Sequence, residues 1–401
     1  MMSWKPILGM VVGSVLAVVA NSGAADPLVP TVVPPEMLAP KVAEHGLRLG
    51  AFDLHARMSG GMTYDDNITY SSTNRQSDLI GVIAPQISAV MDRRDGDYGT
   101  LLSLGYQPTV LLFSDHSNND TIDQNVKSSF QWSGSKLTLG LSQAFVQTYG
   151  GVVEVGDRVR QKIYNTELTS KYALSEKTSI EVNPRLTVTD SDNYVGSRDW
   201  GVDTFLNHEL GTKLTGSLGT TVGYLDVDDG PGQRYVRMLA RLRYAVATKV
   251  DLTMSAGSEW RHYNSGVSDD WEPVFGVSGV YRPFDGTTLT LEAHRREEFS
   301  ILTTGLNYLT TGFTAEIRQR IFEHYFVGVA GGYDNRDYRA AESVVSTSRN
   351  DNYGLVRVVA GVQWIERWTV SVFYQYQTNG SNEGIHDFYD NKVGLQSSWG
   401  F

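Results

Sequence analysis

The chain has 401 residues, no cysteine and a formal net charge of −11. The lack of cysteine excludes disulfides, thiolate metal sites and lipidation at cysteine. The acidic balance, without any long basic tract, argues against a nucleic-acid partner, because no cluster of cations would displace phosphate counterions.

The first 25 residues have the organisation of a secretory signal peptide. Lys5 supplies a positive charge, residues 7–20 form an apolar run, and the small residues of 21–25 predict cleavage after Ala25. The apolar run is shorter than the roughly 20 residues of a membrane-spanning helix. A short N-terminal anchor is the alternative.

Residues 26–48 contain five prolines, which favour an extended chain because proline restricts φ and cannot donate to a ladder. We interpret this segment as a periplasmic leader. A plain linker and a docking motif for a partner both fit it.

From residue 49 to residue 401, long segments alternate between apolar and polar residues. Trp368, Val370 and Val372 share one face of such a segment, whereas Thr369 and Ser371 share the other. Alternation over this length is typical of strands with one face in lipid and one in a wet lumen. Abundant glycine and tyrosine fit the same class of protein.

Eight short turns alternate with nine longer polar loops, which predicts an all-β, transmembrane antiparallel up-and-down barrel of about 18 strands. With both ends periplasmic, the longer loops face outward. A soluble propeller or sandwich is the competing fold, but no blade motif recurs. The last strand ends in alternating aromatic residues, and Trp399 and Phe401 are candidates for the signal read by the barrel-assembly machinery.

The first predicted strand and its loop, residues 49–67, end in the step Tyr64-Asp65-Asp66-Asn67. This opening, with the leader, barrel and terminal aromatic residue, resembles the β-barrel porin 2 family. The resemblance implies an outer-membrane barrel, and some members are associated with exopolysaccharide export. The family defines no catalytic residues.

Alternation points twelve ionisable side chains of the tenth, eleventh, thirteenth and fourteenth predicted strands into the lumen. They are Arg237, Arg241, Arg243, Glu259, Arg261, Glu292, His294, Arg296, Glu298, Glu316, Arg318 and Arg320. They could form a charged ladder that steers an anionic solute or polymer, or a salt-bridge network that braces a wet lumen. The two interpretations can coexist.

Eighteen strands spaced by about 4.8 Å and tilted by roughly 40° give a backbone diameter of about 35 Å. That diameter leaves a water-filled bore unless something enters it. No loop is long enough to be an obvious separate plug, yet the leader or an inward-folded loop could narrow the bore.

Enzymatic and metal sites are not expected. The histidines are scattered, and neither an H-E-x-x-H nor a G-x-S-x-G motif occurs. Asp65 and Asp66 could bind a divalent ion or bridge to lipopolysaccharide phosphate, but a turn in which they cap their own backbone is the simpler interpretation. No cofactor is implied.

The sequence therefore favours a porin-like outer-membrane channel for passive passage of hydrophilic solutes. The alternatives are the outer-membrane conduit of an exopolysaccharide export system and a structural or adhesive barrel with no open pore. The expected partners are outer-membrane lipid and lipopolysaccharide, the barrel-assembly machinery, and a polysaccharide or small hydrophilic solute.

Overall fold

A computed structural model describes residues 46–247, 249–342, 348–365 and 367–401. Its strands are β1 Leu47–Leu49, β2 Phe52–Asp65, β3 Asp78–Asp95, β4 Tyr98–Phe113, β5 Thr121–Ser133, β6 Leu137–Val152, β7 Asp157–Ala173, β8 Thr178–Ser191, β9 Ser197–Glu209, β10 Leu214–Val227, β11 Gln233–Val246, β12 Val250–Tyr263, β13 Asp270–Tyr281, β14 Thr287–Phe299, β15 Leu306–Ile321, β16 Tyr325–Ala340, β17 Asn350–Ile365, β18 Trp368–Ser381 and β19 Phe388–Gly400. Single 3₁₀ turns occupy Ser117–Asn119 and Gly384–His386. The predicted signal peptide and most of the predicted leader lie outside the described residues.

The sheet closes on itself into a barrel. From β2 to β19 each strand pairs antiparallel with the next, and β19 pairs antiparallel with β2 along a seam from Lys392↔Asp65 to Gly400↔Arg57. Closure gives hydrogen-bond partners to the backbone N–H and C=O groups of the edge strands, which lipid could not supply. The described residues thus form an 18-stranded up-and-down barrel, and the predicted fold is confirmed.

The short strand β1 does not belong to the ring. It pairs with the start of β2 through Leu47↔Leu54, after a tight turn in which Gly50 has a φ of 63°. Glycine adopts this left-handed conformation without steric cost, and Gly50 therefore allows the chain to reverse direction between β1 and β2. The first barrel strand therefore begins at Phe52, three residues after the predicted boundary at residue 49.

The outer surface of the barrel is apolar, as a lipid-facing wall requires. Leu218, Met62 and Met238 are 60–70% exposed, at positions that alternate with polar residues facing inward. Aromatic residues mark the end of the barrel where the chain terminates, including Tyr325 and Trp364. A closed antiparallel barrel with an apolar exterior is the architecture of bacterial outer-membrane proteins, and it places this chain in the outer membrane. Within the described residues, no helix has the length and apolar content needed to cross a membrane.

Candidate functional site: a constriction in the lumen

The wall of the barrel is incomplete between β13 and β14. Their pairing runs from Tyr281↔Leu289 to Phe275↔Arg295 and then stops, although β13 extends back to Asp270 and β14 on to Phe299. Beyond this point β14 no longer pairs with β13, while its pairing with β15 continues. We call the strand ends that are remote from the C-terminus the outer ends. The outer ends of β14 and β15 therefore separate from β13 together.

The outer ends of β14 and β15 lie inside the barrel. Odd-numbered residues of β14 and β15 face lipid lower in the wall, as Leu291 and Phe313 do. Higher up, the odd-numbered Asn307 is 1% exposed and exchanges hydrogen bonds of 3.0 and 2.8 Å with Gln233, which faces the lumen on β11. Glu297 likewise accepts a 2.8 Å hydrogen bond from the Tyr263 hydroxyl of β12. The face of the β14–β15 hairpin that would meet lipid in a continuous wall thus packs on the inner wall.

The sequence disfavours repair of this gap. Continuing the register of β13 and β14 would place Glu298 opposite Glu272, and like charges directly opposite each other destabilise a sheet. It would also aim Glu297 into lipid beside Pro273, which has no N–H to donate. Arg295 satisfies the exposed edge instead, because its guanidinium donates to the Pro273 carbonyl at 3.1 Å and to Glu272 at 3.0 Å.

A second hairpin enters from the far side of the ring. The pairing of β5 with β6 stops at Gln124↔Gln147, so the outer ends of β6 and β7 are free to tilt inward. The tip residue Val153 is 1% exposed and packs with Tyr353 of β17 and Phe388 of β19. The β6–β7 hairpin therefore reaches across the lumen.

The two hairpins meet at Glu154 and Ser300. The Ser300 hydroxyl donates to the Glu154 carboxylate, and the Ile301 N–H donates to the same group at 3.3 Å. Both side chains are buried, at 5% and 1% exposure. Ile301 packs with Phe299 against the inner-wall residue Leu225. A polar contact held by apolar packing thus joins opposite walls at the end of the barrel that is remote from the C-terminus.

The surroundings of Glu154 control its ionisation. Burial raises the pKa of its carboxyl above the ordinary value, while the hydrogen bond from Ser300 and the positive charges of Arg349 and Arg336 act in the opposite direction. Burial is the largest of these effects, because removing a carboxylate from water disfavours its charged form.

Inward of this constriction, many of the sequence-predicted charges form ion pairs. Glu259 is 2% exposed and lies between Arg237 and Arg261, with an oxygen 2.6 Å from the Arg261 guanidinium. Further pairs that involve predicted residues are Arg241–Glu181, Arg243–Asp251, Arg261–Glu297, Arg296–Glu298 and Arg318–Glu316. Opposite charges at these distances favour the bracing interpretation, since the guanidinium groups are already engaged.

The other predicted lumen residues are less tightly held. His294 lies 3.7 Å from Asp334, whereas Glu292 and Arg320 are exposed on the wall. All twelve predicted side chains occupy lumen-facing positions of the register. They do not form one cluster, because they spread over four strands and most of the barrel height.

Sequence reasoning missed the residues that build the constriction. Glu154, Ser300 and Asn307 carry no local motif. The signal that could have exposed the inward fold is the run of four charged residues from Arg295 to Glu298. A lipid-facing strand cannot place charges on both faces, so such a run indicates that the strand leaves the wall.

The predicted step at Tyr64-Asp65-Asp66-Asn67 ends strand β2 and leads into a turn that begins at Asn67. Asp65 accepts a 2.9 Å hydrogen bond from the Asn67 N–H, and Asp66 binds Arg75 at 2.8 Å. Among the described residues, no group of three histidine or acidic side chains could hold a metal ion.

The predicted assembly residues lie at the closing seam. The Phe401 N–H donates to the Ala56 carbonyl at 2.9 Å, and the Trp399 ring lies 6.3 Å from that of Trp368. Both side chains face outward. Their recognition by an assembly machinery stays a prediction.

No known protein family and no curated protein matches the chain. Among solved structures, it is similar to Pseudomonas aeruginosa OpdO, with 10% identity and a TM-score of 0.48 over 88% of this chain and 98% of that one. It is also similar to Acinetobacter baumannii OccAB4, with 10% identity and a TM-score of 0.46 over 87% and 98% of the two chains. For the Pseudomonas aeruginosa outer membrane protein OpdK, the values are 10%, 0.45, 87% and 98%. Similarities this low carry no argument about function, which rests on the geometry of the chain itself.

Proposed function

We propose that this protein is a passive outer-membrane channel for small hydrophilic solutes, narrowed at its external end by its own hairpins. The observation that carries the proposal is the contact of Glu154 with Ser300 inside a barrel whose inner wall is polar. A polar wall keeps water in the lumen, and the inward hairpins reduce its cross-section.

The charges of the lumen support passage of hydrophilic solutes of either sign. Arginines and carboxylates alternate along the wall and neutralise each other in pairs such as Arg237–Glu259 and Arg241–Glu181. A wall of paired charges has a weak net field, so we expect little discrimination between cations and anions. Size at the constriction then determines which solutes pass.

Liposome swelling tests the proposal. The refolded protein should admit small polyols and monosaccharides but exclude molecules much larger than a disaccharide. A variant in which residues 300–305 are replaced by a two-glycine turn should raise that size limit. Swelling that is absent in both proteins, although each is folded, would overturn the proposal.

A further inference from the structure

A patch of lumen-facing side chains on β2, β18 and β19 has unmet hydrogen-bonding capacity. Within the part of the chain that the structure describes, the hydroxyls of Thr63, Thr369 and Ser371 and both amide atoms of Gln396 have no partner. Their exposures are 1%, 3%, 2% and 5%. Native proteins rarely leave buried polar atoms unpaired, and such atoms commonly mark a place for water or a ligand. We call these four residues the amide–hydroxyl patch.

The register places the patch on one continuous surface. Ser371 lies directly opposite Gln396, and Gln396 lies opposite Gly61 on the next strand. Thr63 is opposite Gly394, one step further along β19. The unpaired atoms therefore converge on the same part of the wall, away from the ion pairs of β8–β15.

Two phenylalanine rings flank the patch. A Cβ at Gly394 would collide with the Phe373 ring, and a Cβ at Gly361 would collide with the Phe326 ring. Glycine at these lumen-facing positions lets the rings lie close against the backbone. Phe326, Val359 and Phe373 pack together as one apolar cluster.

A cation completes the surface. The Arg357 guanidinium lies 4.6 Å from the centre of the Phe373 ring, and its Nε has no hydrogen-bond partner among the described residues. Arginine can only donate hydrogen bonds, whereas hydroxyls and amides both donate and accept. The matching ligand must do both at several closely spaced points and must also offer apolar C–H surface to a ring.

A saccharide has this chemistry, because each hydroxyl donates and accepts while the ring C–H groups are apolar. We propose that the amide–hydroxyl patch, with Phe373 and Arg357, is a binding site for neutral sugars on their way through the lumen. The inference rests on the proposed channel function and names its preferred class of solute.

Single-channel recording with maltose as the probe tests the site. Maltose should interrupt the potassium chloride current, and a polyether of similar mass with methyl-capped ends, which has no hydrogen-bond donor, should not. Ser371→Ala and Gln396→Leu should each shorten the interruptions by about fivefold, as expected for one lost hydrogen bond. Ser278→Ala, at an exposed lumen position on β13, is the matched control and should change nothing.

Unfolding by urea separates binding from structure. Because the patch atoms are unpaired, Ser371→Ala and Gln396→Leu should leave the unfolding midpoint unchanged or raise it; a lower midpoint in both would assign the patch a structural role and overturn the site. Equal interruption by maltose and polyether, or interruptions insensitive to both substitutions, would also overturn it. If the folded protein carries no current, calorimetric titration with maltose decides. If maltose binds and Gln396→Leu weakens that binding, the sugar site is retained although the channel function is not. If maltose does not bind, both the site and the channel are overturned.

Discussion

The hydroxyl of Ser300 donates a hydrogen bond to the carboxylate of Glu154, a residue 146 positions earlier in the chain. Ser300 begins the loop between β14 and β15, and Glu154 lies in the loop between β6 and β7. These hairpins are eight strands apart in an 18-stranded ring, which places them on nearly opposite sides of the wall. The contact therefore ties the two sides together across the lumen.

Ser300→Ala should loosen the constriction. It removes a donor from a buried carboxylate, and an unsatisfied buried polar group costs about 1–3 kcal/mol. We expect more frequent or larger current fluctuations in single-channel recordings. Ser175→Ala, in an exposed turn at the opposite end, is the control. Identical recordings for both variants and the unaltered protein would contradict a role for this contact.

Asn307→Leu tests the inward fold of β14 and β15. Asn307 bonds to Gln233 and Glu297, and all three are buried, so the substitution should lower the free energy of unfolding by about 1–3 kcal/mol. Adding Gln233→Leu should deepen the loss, because the buried Arg261 guanidinium then loses the Gln233 oxygen to which it donates at 2.8 Å. The measurement is urea unfolding in lipid vesicles. If Asn307→Leu left the free energy of unfolding unchanged, Asn307 would face lipid or solvent instead of Gln233.

Repair of the gap between β13 and β14 should move the hairpin out of the lumen. The variant Pro273→Thr with Glu297→Val and Glu298→Gln restores a donor, an apolar lipid face and a neutral partner for Glu272. Continued pairing would then bring Trp271 opposite Phe299. Because the native chain has no cysteine, Trp271→Cys with Phe299→Cys provides a clean readout. A disulfide should form in the repaired background and fail to form in the native one.

The pH dependence of closure follows from Glu154. Its pKa is raised in the folded state by burial, so the closed arrangement binds a proton more tightly than the open one. Lowering the pH from neutral towards the ordinary pKa range of a glutamate carboxyl should therefore favour closure and reduce current fluctuations. Glu154→Gln, which mimics the protonated form, should remove this dependence. A stronger fluctuation at the lower pH would contradict the direction.

The barrel could be predicted from the sequence because alternation is a local signal. In β18, Val370 and Val372 alternate with Thr369 and Ser371, and the same period fixes which face meets lipid. The lumen-facing positions of the twelve ionisable residues followed from that period alone.

The constriction could not be predicted in the same way, because it depends on where pairing stops. Nothing local to Asn307 or Glu154 indicates a partner 74 or 146 residues away. The clue lies in a conflict between neighbours, where Glu298 would face Glu272 if the wall were continuous. Recognising it requires the register of β13 against β14, which the alternation does not supply.

Single-channel conductance of the unaltered protein, compared with the variant in which a two-glycine turn replaces residues 300–305, tests the central claim most directly. We expect steady steps from the unaltered protein and clearly larger steps from the variant, because the variant lacks the loop that contacts Glu154 across the lumen. Steps of equal size would mean that the hairpins do not limit passage. No current from either folded protein would contradict the channel itself.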